Sequence, residues 1–279
     1  MERREFIGLI GGAVLAWPIA VRAQQGERVR RVSILEGIAE GDPEGRANLA
    51  SFLQRLQQLG WIDGRNVQFD IRWGAGDAGR IRKLAAEFAG LAPDVILAVG
   101  PDSMAELDAA THTIPLVFVL VTDPVGAGFV DSLAHPGGNA TGFLEFEYSL
   151  AGKWFELLKE VAPGMTRAAV LRDPSKTAGT AQFAAIQSVA PSVGVDLRPI
   201  DVRHPAEIER AVAALANSAN GGMIVTASAA AVFNRELIMA VAARYRIPTV
   251  YFERGLFVAA GGLISYGPNF RDEFRRVAA

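Results

Sequence analysis

Apolar and polar positions along this chain fall into two alternating rhythms. Asp94-Val95-Ile96-Leu97-Ala98-Val99 is short and continuously apolar, the pattern of a strand buried on both faces of a parallel sheet. Pro115 to Val121 repeats it, and Arg31-Val32-Ser33-Ile34-Leu35 reads as a first strand. Between such runs the spacing turns helical. Leu49, Phe52, Leu53, Leu56 and Leu59 share one face, and Gly60 follows them, so a helix is predicted over 43–59. Val67 to Trp73 alternates like a strand, 78–90 is a second amphipathic helix, and a shorter one is expected around 103–110.

The second half repeats the plan. Strands are predicted at 168–171, 195–202, 223–225 and 248–252, and helices at 176–190, 205–217 and 230–244. Local echoes accompany this. Thr113-Ile114-Pro115-Leu116-Val117-Phe118 parallels Arg246-Ile247-Pro248-Thr249-Val250-Tyr251, and Thr122-Asp123-Pro124 parallels Arg172-Asp173-Pro174. Two such βα arrays imply two similar α/β lobes with parallel sheets flanked by helices; one continuous doubly wound sheet is the alternative. Pro136-Gly137-Gly138-Asn139 reads as a turn entering a short crossing strand, and Ala260 to Pro268 is a second candidate crossing. The expected division is 24–142 with 267–279 as the N-terminal lobe and 143–266 as the C-terminal lobe. Phe270, Phe274 and Val277 form one face of a last helix, expected to pack on the first lobe beside the 43–59 helix and to leave apolar surface uncovered.

The N-terminus changes the picture of where the chain works. Arg3-Arg4, an apolar run from Phe6 to Ala20 and Val21-Arg22-Ala23 make a charged region, a hydrophobic region and a small-residue cleavage pattern. The paired arginines resemble a Tat export signal. The run is too short for a membrane span, which needs about 20 residues. Residues 1–23 are therefore expected to be a signal removed after Ala23, releasing a periplasmic protein. Half of the chain is hydrophobic and the formal net charge is −2, so a packed core is expected and a phosphate-neutralising basic face is not. Nucleic acid is excluded as a partner on that ground. The chain has no cysteine, which removes disulfides, thiolate metal sites, a cysteine nucleophile and a lipid-anchor cysteine. His112, His135 and His204 are scattered without metal-ligand spacing, and no P-loop, nucleophile elbow or zincin motif is present. Neither a metal nor a cofactor is expected, and an exported enzyme lacks a recognisable catalytic set.

Polar residues at the C-terminal ends of the predicted strands remain, where open α/β sheets bind ligands. They are Glu36, Gly37, Asp102, Ser103, Thr122 and Asp123 in the first half, and Asp173, Ser175, Thr226, Ser228, Tyr251, Glu253 and Tyr266 in the second. Ser103 either caps the helix it opens or adds to a helix N-terminus that receives an anion. Asp123 and Asp173, each before proline, suit capping or an ammonium partner. Tyr251 and Tyr266 are core aromatics or flank a ligand, with Phe146 as a further aromatic wall. Glu36 ends a buried strand and needs an arginine or a ligand cation. Trp61 and Trp73 near turns are read as structural.

Four segments together carry a family resemblance: the signal, Thr122-Asp123-Pro124-Val125-Gly126-Ala127-Gly128, Pro136-Gly137-Gly138-Asn139-Ala140-Thr141-Gly142 and Gly261-Gly262-Leu263-Ile264-Ser265-Tyr266-Gly267. In that order they resemble the ABC-transporter substrate-binding protein family related to tryptophan- and tyrosine-binding lipoproteins of Gram-positive bacteria. The resemblance implies a type I periplasmic-binding-protein fold. It also implies capture of a small amino-acid-like solute between two Rossmann-like lobes, delivery to a membrane permease, and a monomer free of the membrane after cleavage. A sensory protein that presents its ligand to a membrane receptor is the alternative. Family members continue past the position where this sequence stops, so a C-terminally truncated lobe, less stable than an extended form, is expected.

Overall fold

A computed structural model describes residues 28–217 and 220–279. The expected signal and its cleavage site lie outside the described residues. Lobe one is built from β1 (Arg30–Glu36), α1 (Pro43–Gln58), β2 (Val67–Trp73), α2 (Ala78–Leu91), β3 (Val95–Val99), α3 (Pro101–Ala110), β4 (Leu116–Val121) and β5 (Ala140–Leu144). Its strands are all parallel, in the order β2-β1-β3-β4-β5. Lobe two follows with α4 (Leu150–Val161), β6 (Arg167–Arg172), α5 (Thr177–Val189), β7 (Asp196–Asp201), α6 (Pro205–Ala216), β8 (Gly221–Val225), α7 (Ala229–Phe233), α8 (Arg235–Tyr245), β9 (Thr249–Tyr251) and β10 (Ile264–Ser265). Its sheet, β10-β9-β8-β6-β7, is also parallel throughout. Counted from each lobe's first strand the two orders are identical. Each sheet reverses direction of growth once, between β1 and β3 and between β6 and β8, and such switch points open a crevice at the strands' C-terminal ends.

The central strands are buried along their length, as their unbroken apolar runs require: Ile96, Leu97 and Ala98 on β3, Val170 and Leu171 on β6, Met223 to Val225 on β8. The helix α1 is started by Asp42, whose carboxylate accepts from the Glu44 and Gly45 amides, and by Pro43 at its first position. It buries Leu49 and Phe52 against the sheet. The last helix, α9 (Phe270–Val277), returns to lobe one, where Phe274 joins Leu49, Phe52 and Trp73 in one cluster. A groove beside it, lined by Val32, Phe52, Leu56, Val117 and Val277, stays uncovered.

Three features depart from the pattern read along the chain. A helix not anticipated from the sequence, α4, buries Ala151, Trp154, Phe155 and Leu158 in lobe two. The single helix expected over 230–244 is two, α7 and α8, broken at Asn234, whose amide donates to the Val202 carbonyl at 2.8 Å. Trp73 is buried at the end of β2 rather than lying at a surface turn. The Pro136–Thr141 run is a turn feeding β5, and the chain crosses to lobe two after Leu144 and back after Ser265. Both crossings converge on Trp154. Its ring meets Phe146 edge-on at 5.3 Å between centroids, and its indole N–H donates to the Tyr266 carbonyl at 2.5 Å.

Candidate functional site

The two crevices face one another across a cavity of about 380 Å³, the size of a site for a small organic molecule. Lobe one supplies Glu36 and Gly37 from the end of β1, Gly100 to Asp102 after β3, Leu120 to Asp123 at the end of β4, and Asn48 from α1. Lobe two supplies Ser175 to Ala178 after β6 and Ala227 to Ala229 after β8. Val232 and Phe233 come from α7. Leu120 is turned inward by a bulge in β4 and holds a left-handed backbone (φ 58°), a strained conformation for a bulky residue.

Direct contacts also join the two lobes beside the cavity. Lys176 donates to Asp102 at 2.6 Å, and Arg235 on α8 donates to Asp42 at 2.5 Å. Phe233 fits over Gly76, where a Cβ would collide with its ring and where φ is +69°. Asp42 thus does two jobs with two oxygens: Oδ1 caps α1 at 3.0 Å from each of two amides, and Oδ2 clasps lobe two. Asp42→Asn should keep the cap and lose the clasp, because asparagine caps as well as aspartate. The expected result is a larger radius of gyration by small-angle scattering at nearly unchanged stability. Asp42→Ala should open the lobes and in addition cost about 1 kcal/mol in chemical denaturation.

Carboxyl groups dominate the electrostatics. Glu36 is fully buried, its Oε1 has no hydrogen-bond partner, and burial, followed by the nearby Asp42 charge, pushes it up to about 8. Glu145, also buried, accepts from the Thr122 hydroxyl at 2.7 Å. Burial raises it to about 7; the Thr122 bond opposes this and the Glu253 charge adds to it. Glu273 on α9 lies behind it, raised to about 9 chiefly by burial and then by Glu145. Among the described lining residues four are acidic (Glu36, Asp102, Asp123, Glu145) and one is a cation, Lys176, already engaged by Asp102.

Glu36, Gly37, Thr122, Asp123 and Ser228 are brought together at this cavity, with Asp102 and Ser175 beside them. Asp123 also accepts from the Gly126 amide at 2.7 Å, closing a turn, and Ser228 caps α7 through the Ala231 amide at 3.1 Å. The other candidates lie elsewhere. Ser103 neither caps α3 nor reaches the cavity; it is buried behind Gly37 with its hydroxyl unpaired. Asp173 closes its own loop, accepting from the Ser175 amide at 2.9 Å and hydroxyl at 2.6 Å, and its cation is a protein group, Arg203 at 3.6 Å. Thr226 donates to the Leu171 carbonyl at 2.8 Å inside lobe two. Tyr251 stacks on Phe257 at 4.8 Å, and Glu253 caps the following turn through the Gly255 and Leu256 amides at 2.7 and 2.6 Å. Tyr266 is exposed, and Phe146 is packed into the lobe-two core. Asn48, Glu145, Lys176 and Phe233 are the polar, charged and aromatic lining residues of most consequence that the sequence pattern did not point to.

The loop around Asp173 also explains a glycine. A Cβ at Gly179, in the first turn of α5, would collide with the Asp173 carbonyl oxygen. Gly179→Ala is expected to cost about 1–3 kcal/mol in chemical denaturation through overpacking. Gly90→Ala, in the open on α2, should be neutral or stabilise by up to about 1 kcal/mol.

Comparisons with known proteins agree with this architecture. A model of the ABC transporter substrate binding protein family matches residues 38–273. A tyrosine-binding protein of Clostridioides difficile (strain R20291) is 26% identical over 219 residues, covering 78% of this chain and 62% of that protein. The chain therefore spans less than two-thirds of that relative's length. Among solved structures, an ABC domain from Streptococcus pneumoniae in complex with L-Trp matches with a TM-score of 0.81 at 20% identity, over 90% of this chain and 82% of that one, a likeness of fold. A conserved domain protein from Vibrio cholerae matches with a TM-score of 0.81 at 25% identity, over 90% and 83% of the two chains.

Proposed function

The chain belongs to the family of ABC transporter substrate-binding proteins, a family of ligand carriers and not of enzymes, and from that premise we propose that it captures one small organic solute in the cavity between its lobes. The solute is of amino-acid size and carries an amino group. One observation carries this reading: two sheets of the same strand order turn their switch points toward a shared cavity of about 380 Å³, lined mainly by apolar groups and including Glu36 and Asn48, each with an unpaired buried oxygen. Capture by closure follows from contributions of both lobes to the lining, with residues 30–144 and 267–279 moving as one body and 145–266 as the other. Delivery to a membrane permease and export through the N-terminal twin-arginine segment complete the proposal. Among the described residues no helix is long and apolar enough to cross a membrane.

Thermal-shift measurements with a panel of free amino acids and their decarboxylated amines test the reading. At least one compound at 100 times its dissociation constant should add about 2.7 kcal/mol of stability, a shift of several degrees for a chain of this size. Ser228→Trp, which fills the cavity from lobe two, should abolish that shift. A panel without any shift, or one whose shifts survive Ser228→Trp, contradicts the proposal.

A further inference from the structure

We propose that the cavity selects a ligand of net positive charge, an amine or amidine on an apolar body, held through its cationic nitrogen at Glu36 and Asn48. This rests on the reading of the inter-lobe cavity as the binding site and narrows the class of solute it accepts.

Two side chains at the wall are buried and have an unpartnered oxygen: Glu36 Oε1 at the end of β1 and Asn48 Oδ1 on α1. The Asn48 amide oxygen is an acceptor, and the Glu36 oxygen becomes one once its carboxyl gives up its proton, so a cationic donor suits both. Buried acceptors without partners are costly, and a ligand N–H that satisfies them gains the difference. The charge balance points the same way. Asp102 neutralises Lys176, Arg235 neutralises Asp42, and Asp123 is bonded to the Gly126 amide. Glu145, with Thr122 on one side and Glu253 and Glu273 behind it, is surrounded by further carboxyls. No described lining cation is left to receive a carboxylate.

Uptake then has a proton balance. In the empty cavity at neutral pH the Glu36 carboxyl holds a proton, since burial and Asp42 raise it to about 8. An ammonium at its oxygen favours the carboxylate, so the proton leaves to solvent as the ion pair forms. Affinity for a cation should therefore rise with pH from about 6 to 8 and level off above.

Titration calorimetry separates the possibilities with three bodies (phenol, indole and a short branched alkyl), each as the amine, the amino acid and the carboxylic acid. The expected result is at least one amine binding tenfold or more tighter than its amino acid, with its acid unbound. Heats in buffers of different ionisation enthalpy should report net proton release at pH 7. Glu36→Gln should weaken the amine tenfold or more and suppress the release. The ranking within the parent chain stands as a test even if the variant folds poorly. An amino acid or acid binding as tightly as its amine overturns the inference while leaving the cavity as the site; the uncapped N-terminus of α5 at Thr177 and Ala178 would then receive the carboxylate. Tight amine binding that Glu36→Gln leaves unchanged also overturns it. Failure of all nine compounds counts against the binding site itself.

Discussion

Trp154→Ala should lower the melting temperature by roughly 6–20 °C, the counterpart of about 3–5 kcal/mol for removing a large buried aromatic. Trp154 is fully buried, and its loss opens a void among Phe146, Phe155 and Leu158 in the core of lobe two. The effect reaches further than packing. The Trp154 ring is held between Phe146 from the first crossing and the Tyr266 carbonyl from the second. Trp154→Phe keeps most of the apolar contact but leaves that carbonyl without its donor, and should cost about 1–3 kcal/mol. Differential scanning calorimetry gives both numbers. Equal melting temperatures for Trp154→Ala and the parent would falsify the assignment of this residue as the anchor of both crossings.

Stability of the ligand-free protein should fall as pH rises from about 4.5 to about 8, and Glu36→Gln should remove much of that fall. Glu36 binds its proton more tightly in the folded chain, about 8 against 4.5 for an ordinary glutamate. The folded state thus holds more protons than the unfolded state across this window, and stability declines with pH there. The contribution is fully present below about 4.5 and lost above about 8. Glu145 and Glu273, raised to about 7 and about 9, push in the same direction. A tenfold difference in proton affinity between the two states corresponds to about 1.4 kcal/mol, so Glu36 accounts for a few kcal/mol between the ends of the window. Asp94 and Asp201 are held below the usual carboxylate range, the first chiefly by the Arg31 amide and the second chiefly by Arg203, so their stabilisation is lost only at acid pH below this window. Urea unfolding at pH 5 and pH 8.5 measures the difference. The variant should gain most at pH 8.5 and little at pH 5. A gain independent of pH would contradict the burial of an ionisable Glu36.

The sheets were legible because a parallel strand buried on both faces is an unbroken apolar run. Ile96 to Val99 and Met223 to Val225 have no other reading at that length. The site was legible where the chain itself points at the switch point: Glu36 ending β1, Gly37 after it, and Ser228 after β8. It was not legible where a single residue of phase decides. Tyr251 and Phe252 adjoin at the end of β9, yet Phe252 lines the cavity and Tyr251 stacks into the core. No composition or spacing distinguishes those two faces. Nor was it legible where a polar group closes its own loop, as Asp173 and Glu253 do. Asn48, Lys176 and Phe233 were invisible for a different reason. Each sits on or before a helix, and for Lys176 and Phe233 the contacts that matter, with Asp102 and Gly76, are made with the opposite lobe, many residues away in sequence. The helix α4 carries an ordinary amphipathic stripe, but it follows a crossing and lacks a side-chain cap to mark its start.

A crystal structure of the chain with the tightest-binding amine or amino acid tests the central claim most directly. The expected result is one ligand enclosed between the lobes, touching Glu36 or Asn48 from lobe one and Ser175–Ala178 or Ser228 from lobe two. A ligand bound on one lobe only, or in the uncovered groove beside Phe52 and Val277, would contradict it.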